Sequence, residues 1–133
     1  MGAKKLRKLI VNTKEFLWKC NFSRGEVCKS TLTIYLTKEA KIIIMFFARD
    51  TFTCGNPFNE GFPMLKNNEV VQINLNCPKY AAELIDYLDK SQLLEVRNSK
   101  IVFDGNDLLK KMGYIDVEKW LITNVLLFDS VTN

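Results

Sequence analysis

The sequence predicts an α+β domain: an antiparallel β-meander sheet of about five strands, with two or three helices packed on one of its faces. Three observations carry the prediction. Leu32, Ile34 and Leu36 alternate with Thr31, Thr33 and Tyr35, the period of a half-buried strand. Ala81, Leu84, Ile85 and Leu88 recur at i, i+3, i+4 and i+7, the stripe of an amphipathic helix. The two patterns are also segregated, strands in the first half of the chain and helices in the second. That order is the mark of an α+β fold rather than of alternating βαβ units.

The first two strands are expected at Leu6–Val11 and Phe16–Phe22, with Asn12-Thr13-Lys14-Glu15 as the hairpin turn between them. Ser23-Arg24-Gly25-Glu26 forms the next polar break, and Thr31–Leu36 the third strand. After the turn at Thr37-Lys38-Glu39-Ala40, Lys41–Ala48 is apolar almost throughout, which predicts a central strand covered on both faces. Residues 49–65 read as a long loop, and Val70–Leu75 as a further strand with Val71, Ile73 and Leu75 on one side. Pro78–Lys90 is the clearest helix. Pro78 suits its first turn, where a missing N–H costs nothing, and Asn76 or Cys77 precedes it as the cap. Ile101–Phe103 is a short strand, Leu108–Met112 a short helix, and Gly113 sits where a helix stops. From Asp116 a third helix is expected, carrying Val117, Trp120, Leu121 and Val125, although residues 115–128 are β-branched enough to form a strand.

A chain of 133 residues is expected to form one domain, residues 1–133, with a core of its own. Its longest apolar run, Ile42–Ala48, is far shorter than the roughly 20 residues of a membrane span. The basic start, MGAKKLRKLIV, is followed by too brief an apolar patch for a signal peptide. The expected location is therefore the cytoplasm, and the expected state of Cys20, Cys28, Cys54 and Cys77 is reduced. Histidine is absent. That removes Ser-His-Asp and Cys-His catalysis together with His-ligated metals, and the scattered cysteines lack the paired spacing of structural zinc sites. No cofactor and no metal site is expected.

The stretch RDTFTCGNPFNEGFPML at 49–65 concentrates the reactive side chains. As a catalytic loop it would use Asp50 and Glu60 as an acid and base pair, or the Cys54 thiol as nucleophile. Without a histidine, that thiol lacks its commonest activating base. As a binding face it would use Phe52, Phe58 and Phe62 as apolar anchors, with Arg49, Asp50 and Glu60 around them, since aromatic and arginine side chains dominate protein interfaces. The same phenylalanines could instead fold back over one end of the sheet.

Charge is uneven. Residues 1–30 carry eight Lys or Arg against two Glu, and the rest carries eleven against thirteen acids. Lys4, Lys5, Arg7 and Lys8 could be a nucleic-acid arm, or lysines that keep an exposed edge strand soluble. Phe16 and Trp18 could stack bases, but as neighbours on one strand face they read more simply as core. The junction Ile73-Asn-Leu-Asn-Cys-Pro-Lys79 could offer N–H groups to an anion, without the glycines of a phosphate loop.

Three segments in order carry a resemblance: VNTKEFLWK at 11–19, INLNCPKYAAELI at 73–85 and DLLKKMGY at 107–114. They resemble small uncharacterised bacterial proteins with an N-terminal β-meander, a Pro-initiated helix and a leucine–glycine–aromatic close. Such proteins are similar in size and style to immunity proteins, which bind a toxin and block it. The resemblance implies a protein partner and transfers no catalytic residue; residues after Tyr114 lie outside it. The expectation is thus a small cytoplasmic non-enzymatic protein that binds a protein partner, immunity-like in style. The alternatives are a single-stranded nucleic-acid binder using the basic first third, and a small hydrolase using the 49–65 loop.

Overall fold

Eight strands and two helices form among the described residues, which are 6–23, 27–37, 39–49, 58, 61–94 and 100–116 of a computed structural model. The fold is α+β, as the segregated periodicities require, and its strands are mostly antiparallel.

Strands β1 (Arg7–Val11) and β2 (Lys14–Ser23) form a hairpin closed by Asn12 and Thr13 alone, at φ 52° and 67°. Two consecutive left-handed residues make the tight turn whose twist matches the flanking strands. Strands β3 (Val27–Tyr35) and β4 (Lys41–Arg49) continue the antiparallel order. Between them, the N–H groups of Leu36 and Thr37 both donate to the Ala40 carbonyl.

The meander expected from sequence ends at β4. Its next neighbour is β7 (Lys100–Asp104), which runs parallel to it, so the large sheet is mixed, in the order β1-β2-β3-β4-β7. The loop expected over 49–65 also ends early. Phe62–Lys66 is a strand, β5, paired with β6 (Glu69–Ile73) through a second left-handed pair, Asn67 and Asn68 at φ 53° and 65°. The glycine and prolines of this segment read as loop residues, but Gly61 (φ 124°) lies just before the strand, and Pro63 lies outside the short pairing with β8 (Ile115–Asp116). β6, β5 and β8 make a second, three-stranded sheet. Asp116 is thus in a strand, and the helix expected after it lies outside the described residues.

Helix α1 (Pro78–Lys90) buries the stripe read from sequence, Ala81, Leu84, Ile85 and Leu88, with Cys77 as N-cap. Helix α2 (Gly105–Lys111) is capped by Asp104, whose carboxylate accepts from the N–H groups of Asn106 and Asp107, and Gly113 follows it at φ 98°. Gly105 is required by packing: a Cβ there would lie 2.5 Å from the Phe46 ring. One residue on, Asn106 extends the sheet. Its side-chain amide accepts from the Phe47 N–H at 2.8 Å and donates to the Phe47 carbonyl at 2.9 Å, where β7 has already ended opposite Met45.

A single core cluster joins both sheets and both helices. The large sheet contributes Phe16, Trp18, Leu32, Ile34, Ile42, Ile44 and Phe46, and the small sheet Phe62, Met64 and Ile73. The expectation that β4 is covered on both faces is corrected. Ile42, Ile44 and Phe46 are fully buried, whereas Ile43 and Met45 are only half-buried and Phe47 is exposed. Among the described residues, no helix is long and apolar enough to cross a membrane.

Candidate functional site

Of the expected interface residues, Phe58 and Phe62 are placed in the core, which corrects their reading as surface anchors. Phe58 is 0% exposed; its ring lies 5.3 Å from Phe46 and stacks on Phe62 at 4.2 Å. The Phe58 carbonyl also accepts from the Leu75 N–H at 2.8 Å. They are brought together, but as the joint between the two sheets. Arg49 ends β4, its backbone paired with Val27. Asp50, Phe52, Cys54 and Glu60 lie outside the described residues, and so do Lys4 and Lys5.

Arg7 and Lys8 are on the edge strand β1 and point to opposite faces. The Arg7 guanidinium sits 4.4 Å over the buried Trp18 ring and donates to the Asn76 carbonyl at 2.6 Å, tying β1 to the start of α1. Phe16 and Trp18 are themselves core, so neither offers a face to a base. At the turn before α1, Asn74 already accepts from the Asn76 N–H, and Lys79 lies over the Tyr80 ring at 5.4 Å. Cys20 is a buried thiol and Cys77 an exposed one.

The main titratable cluster that sequence reading missed joins three elements. Lys66 of β5 pairs with Glu83 of α1 at 2.9 Å and lies 4.5 Å over the Tyr114 ring, while the Tyr114 hydroxyl donates to the same Glu83 carboxylate. Burial, then the hydrogen bond to Glu83, push the Tyr114 phenol well above its ordinary range. A phenol held so firmly protonated is a hydrogen-bond donor, not a base near neutral pH. The cluster fastens the small sheet to α1. Among the described residues, no three His, Cys, Asp or Glu side chains gather as metal ligands would.

The remaining feature is the outward face of the large sheet. Side chains paired in register share a face. With Trp18, Ile34, Ile42 and Ile101 facing inward, the alternate residues face outward in rows across the strands. One row is Lys8, Leu17, Tyr35, Lys41 and Lys100; the next is Lys19, Thr33, Ile43 and Val102. Asn21, Thr31, Met45 and Asp104 form the third, and Ser23, Lys29 and Phe47 the fourth. Ile43, Met45, Phe47 and Val102 therefore form a continuous apolar strip on β4 and β7. Val102 is 51% exposed, Phe47 44% and Leu17 39%. None of these belongs to the core cluster or packs against it.

Five lysines surround the strip: Lys8, Lys19, Lys29, Lys41 and Lys100. Among the described residues, only Glu15 and Asp104 bring negative charge to this face, and Asp104 is engaged as the α2 cap. Lys8 reaches Glu15 at 3.8 Å, with both side chains more than half exposed. Such a pair contributes little. The face was legible in the alternation of β2 and β3, whose outward residues are polar apart from Leu17 and the Tyr35 ring; a sheet shares its faces, so β4 must follow them. Comparisons with protein-family models, with curated proteins and with solved structures found no match to this chain.

Proposed function

We propose that this chain is a non-enzymatic protein that acts by binding a protein partner, in the style of an immunity protein, through the outward face of its large sheet. The observation that carries the reading is the apolar strip Ile43, Met45, Phe47 and Val102, set outside the core and rimmed by lysines. Exposed contiguous apolar surface with a polar rim marks an interaction site, whereas scattered apolar residues do not. The resemblance to small uncharacterised bacterial proteins, similar in size and style to immunity proteins, agrees with this mode of action, because blocking a toxin needs a complementary surface and no acid–base pair. The sequence likewise lacks histidine, the commonest acid–base catalyst.

Site-resolved photo-crosslinking in the native host tests the proposal. Benzoyl-phenylalanine placed at Val102 or Phe47 should form an adduct with one distinct protein, and the same group at Glu69 on the small sheet should not. Absence of an adduct from both face positions, or equal adducts from Glu69, rejects it.

A further inference from the structure

We infer that the partner presents an acidic protein surface with an apolar centre to the outward face of the large sheet. This deepens the protein-binding reading and rests on it. Elsewhere among the described residues, four of six lysines are neutralised in place: Lys14 pairs with Asp89, Lys66 with Glu83, Lys90 with Asp86 and Lys111 with Asp107, all within 3.1 Å. On the outward face, Lys19, Lys29, Lys41 and Lys100 have no carboxylate partner among the described residues. Lys41 and Lys100 even stand side by side across β4 and β7. Like charges in neighbouring strands repel, so this arrangement works against the fold. An acidic partner removes that repulsion and brings carboxylates to these lysines.

The same residues discriminate among other occupants. A second copy laid face to face would oppose lysines with lysines. A single nucleic-acid strand needs aromatic platforms for its bases. The centre of this face, Ile43, Met45 and Val102, carries no ring; Phe47 is a single exposed ring at one end of the strip, and the half-buried Tyr35 ring lies under Lys41 at 5.9 Å. An acidic protein segment with alternating apolar side chains satisfies both the rim and the strip.

The experiment titrates the full chain, observed by amide NMR, with three probes: a 12-residue peptide of alternating Glu and Leu, one of alternating Lys and Leu, and a dT20 oligonucleotide. The Glu-Leu peptide should shift the amides of Thr33, Ile43, Met45 and Val102. Its affinity should fall about tenfold with Lys19→Glu, Lys41→Glu and Lys100→Glu combined, and fall again as salt rises. The inference is overturned by no shift, by equal binding of the Lys-Leu peptide, or by tighter binding of dT20. It is also overturned if the protein is dimeric and dissociates when Val102 is changed to Asp. Crosslinking at Val102 separates the two levels: a protein adduct whose yield ignores the three lysine reversals leaves the binding face standing and removes the acidic partner. An adduct to another segment of this same chain removes both.

Discussion

Truncating Phe58 decides whether the aromatic residues after β4 hold the fold together or wait for a partner. The ring is fully buried, between Phe46 at 5.3 Å and Phe62 at 4.2 Å. A buried aromatic side chain removes about 150–250 Å² from water. At about 25 cal/mol per Å², that is roughly 4–6 kcal/mol, part of which the remaining Cβ keeps. Two ring–ring contacts add about 0.5–1.5 kcal/mol each, and relaxation around the cavity returns some of the loss. Phe58→Ala should therefore destabilise by about 4 kcal/mol, and Phe58→Leu, which keeps most of the volume, by about 1–1.5 kcal/mol. With a urea slope of about 1.5 kcal/mol/M, the alanine variant's midpoint should fall by roughly 2.5 M. The leucine variant keeps the series readable if the alanine protein is largely unfolded. An alanine variant within about 1 kcal/mol of the parent would refute the core placement and return Phe58 to the surface.

Gly105→Ala should cost about 2 kcal/mol net. Moving the Phe46 ring away from a Cβ at 2.5 Å is overpacking of up to about 3 kcal/mol, against roughly 1 kcal/mol of helix propensity gained. Phe46→Leu should recover part of it in a double-mutant cycle, and strict additivity would refute the clash. Thr13→Gly should raise the melting temperature by about 2–5 °C, since a β-branched residue at φ 67° is strained; a fall would show that the Thr13 hydroxyl bond to the Asn12 carbonyl outweighs the strain. Asn12→Gly keeps the left-handed backbone but deletes the amide that donates to Asp86 and Asp89 at 2.8 and 3.0 Å. That amide is the leading cause holding both carboxyls below their ordinary 3.8. A depressed carboxyl stabilises the fold above its unfolded value and stops doing so as pH falls through its folded value. The variant's deficit should therefore be present in urea melts at pH 7 and shrink below about pH 4; a deficit unchanged at pH 3 would refute the linkage.

What was legible in the sequence is what short-range periodicity encodes. The α1 stripe is buried residue for residue, and the register of β3 puts Leu32 and Ile34 on the core side and Thr31, Thr33 and Tyr35 on the other, as read, with Thr33 itself buried between its neighbours. The Asn12–Thr13 turn and the Gly113 stop were equally local. The parallel pairing of β7 with β4 was hidden, because two distant segments meet with no turn between them to set their direction. β5 was hidden for the opposite reason: its flanking Gly61 and internal Pro63 are loop signals, and only the pairing with β6 overrides them. The continuous apolar run of β4 was ambiguous by itself. Nothing within Ile42–Phe47 says that the odd-numbered residues face outward; that follows only from the register with Thr31 and Thr33.

Where a sequence breaks its own local rules without a structural gain, selection for something other than stability is the economical account. In the loop that gathered the reactive residues, the described phenylalanines do not break them: Phe58 and Phe62, apolar in a polar setting, fill the core. The outward face of the large sheet breaks two at once. It leaves Ile43, Met45, Phe47 and Val102 outside the core, and it sets Lys41 beside Lys100. Each would be corrected by a single polar or acidic substitution that the inner face would not feel, since inward and outward side chains alternate along each strand. The two departures lie in adjoining rows and are complementary to one surface, acidic at its rim and apolar at its centre. That coincidence in space, more than either feature alone, supports the binding role proposed for the sheet face.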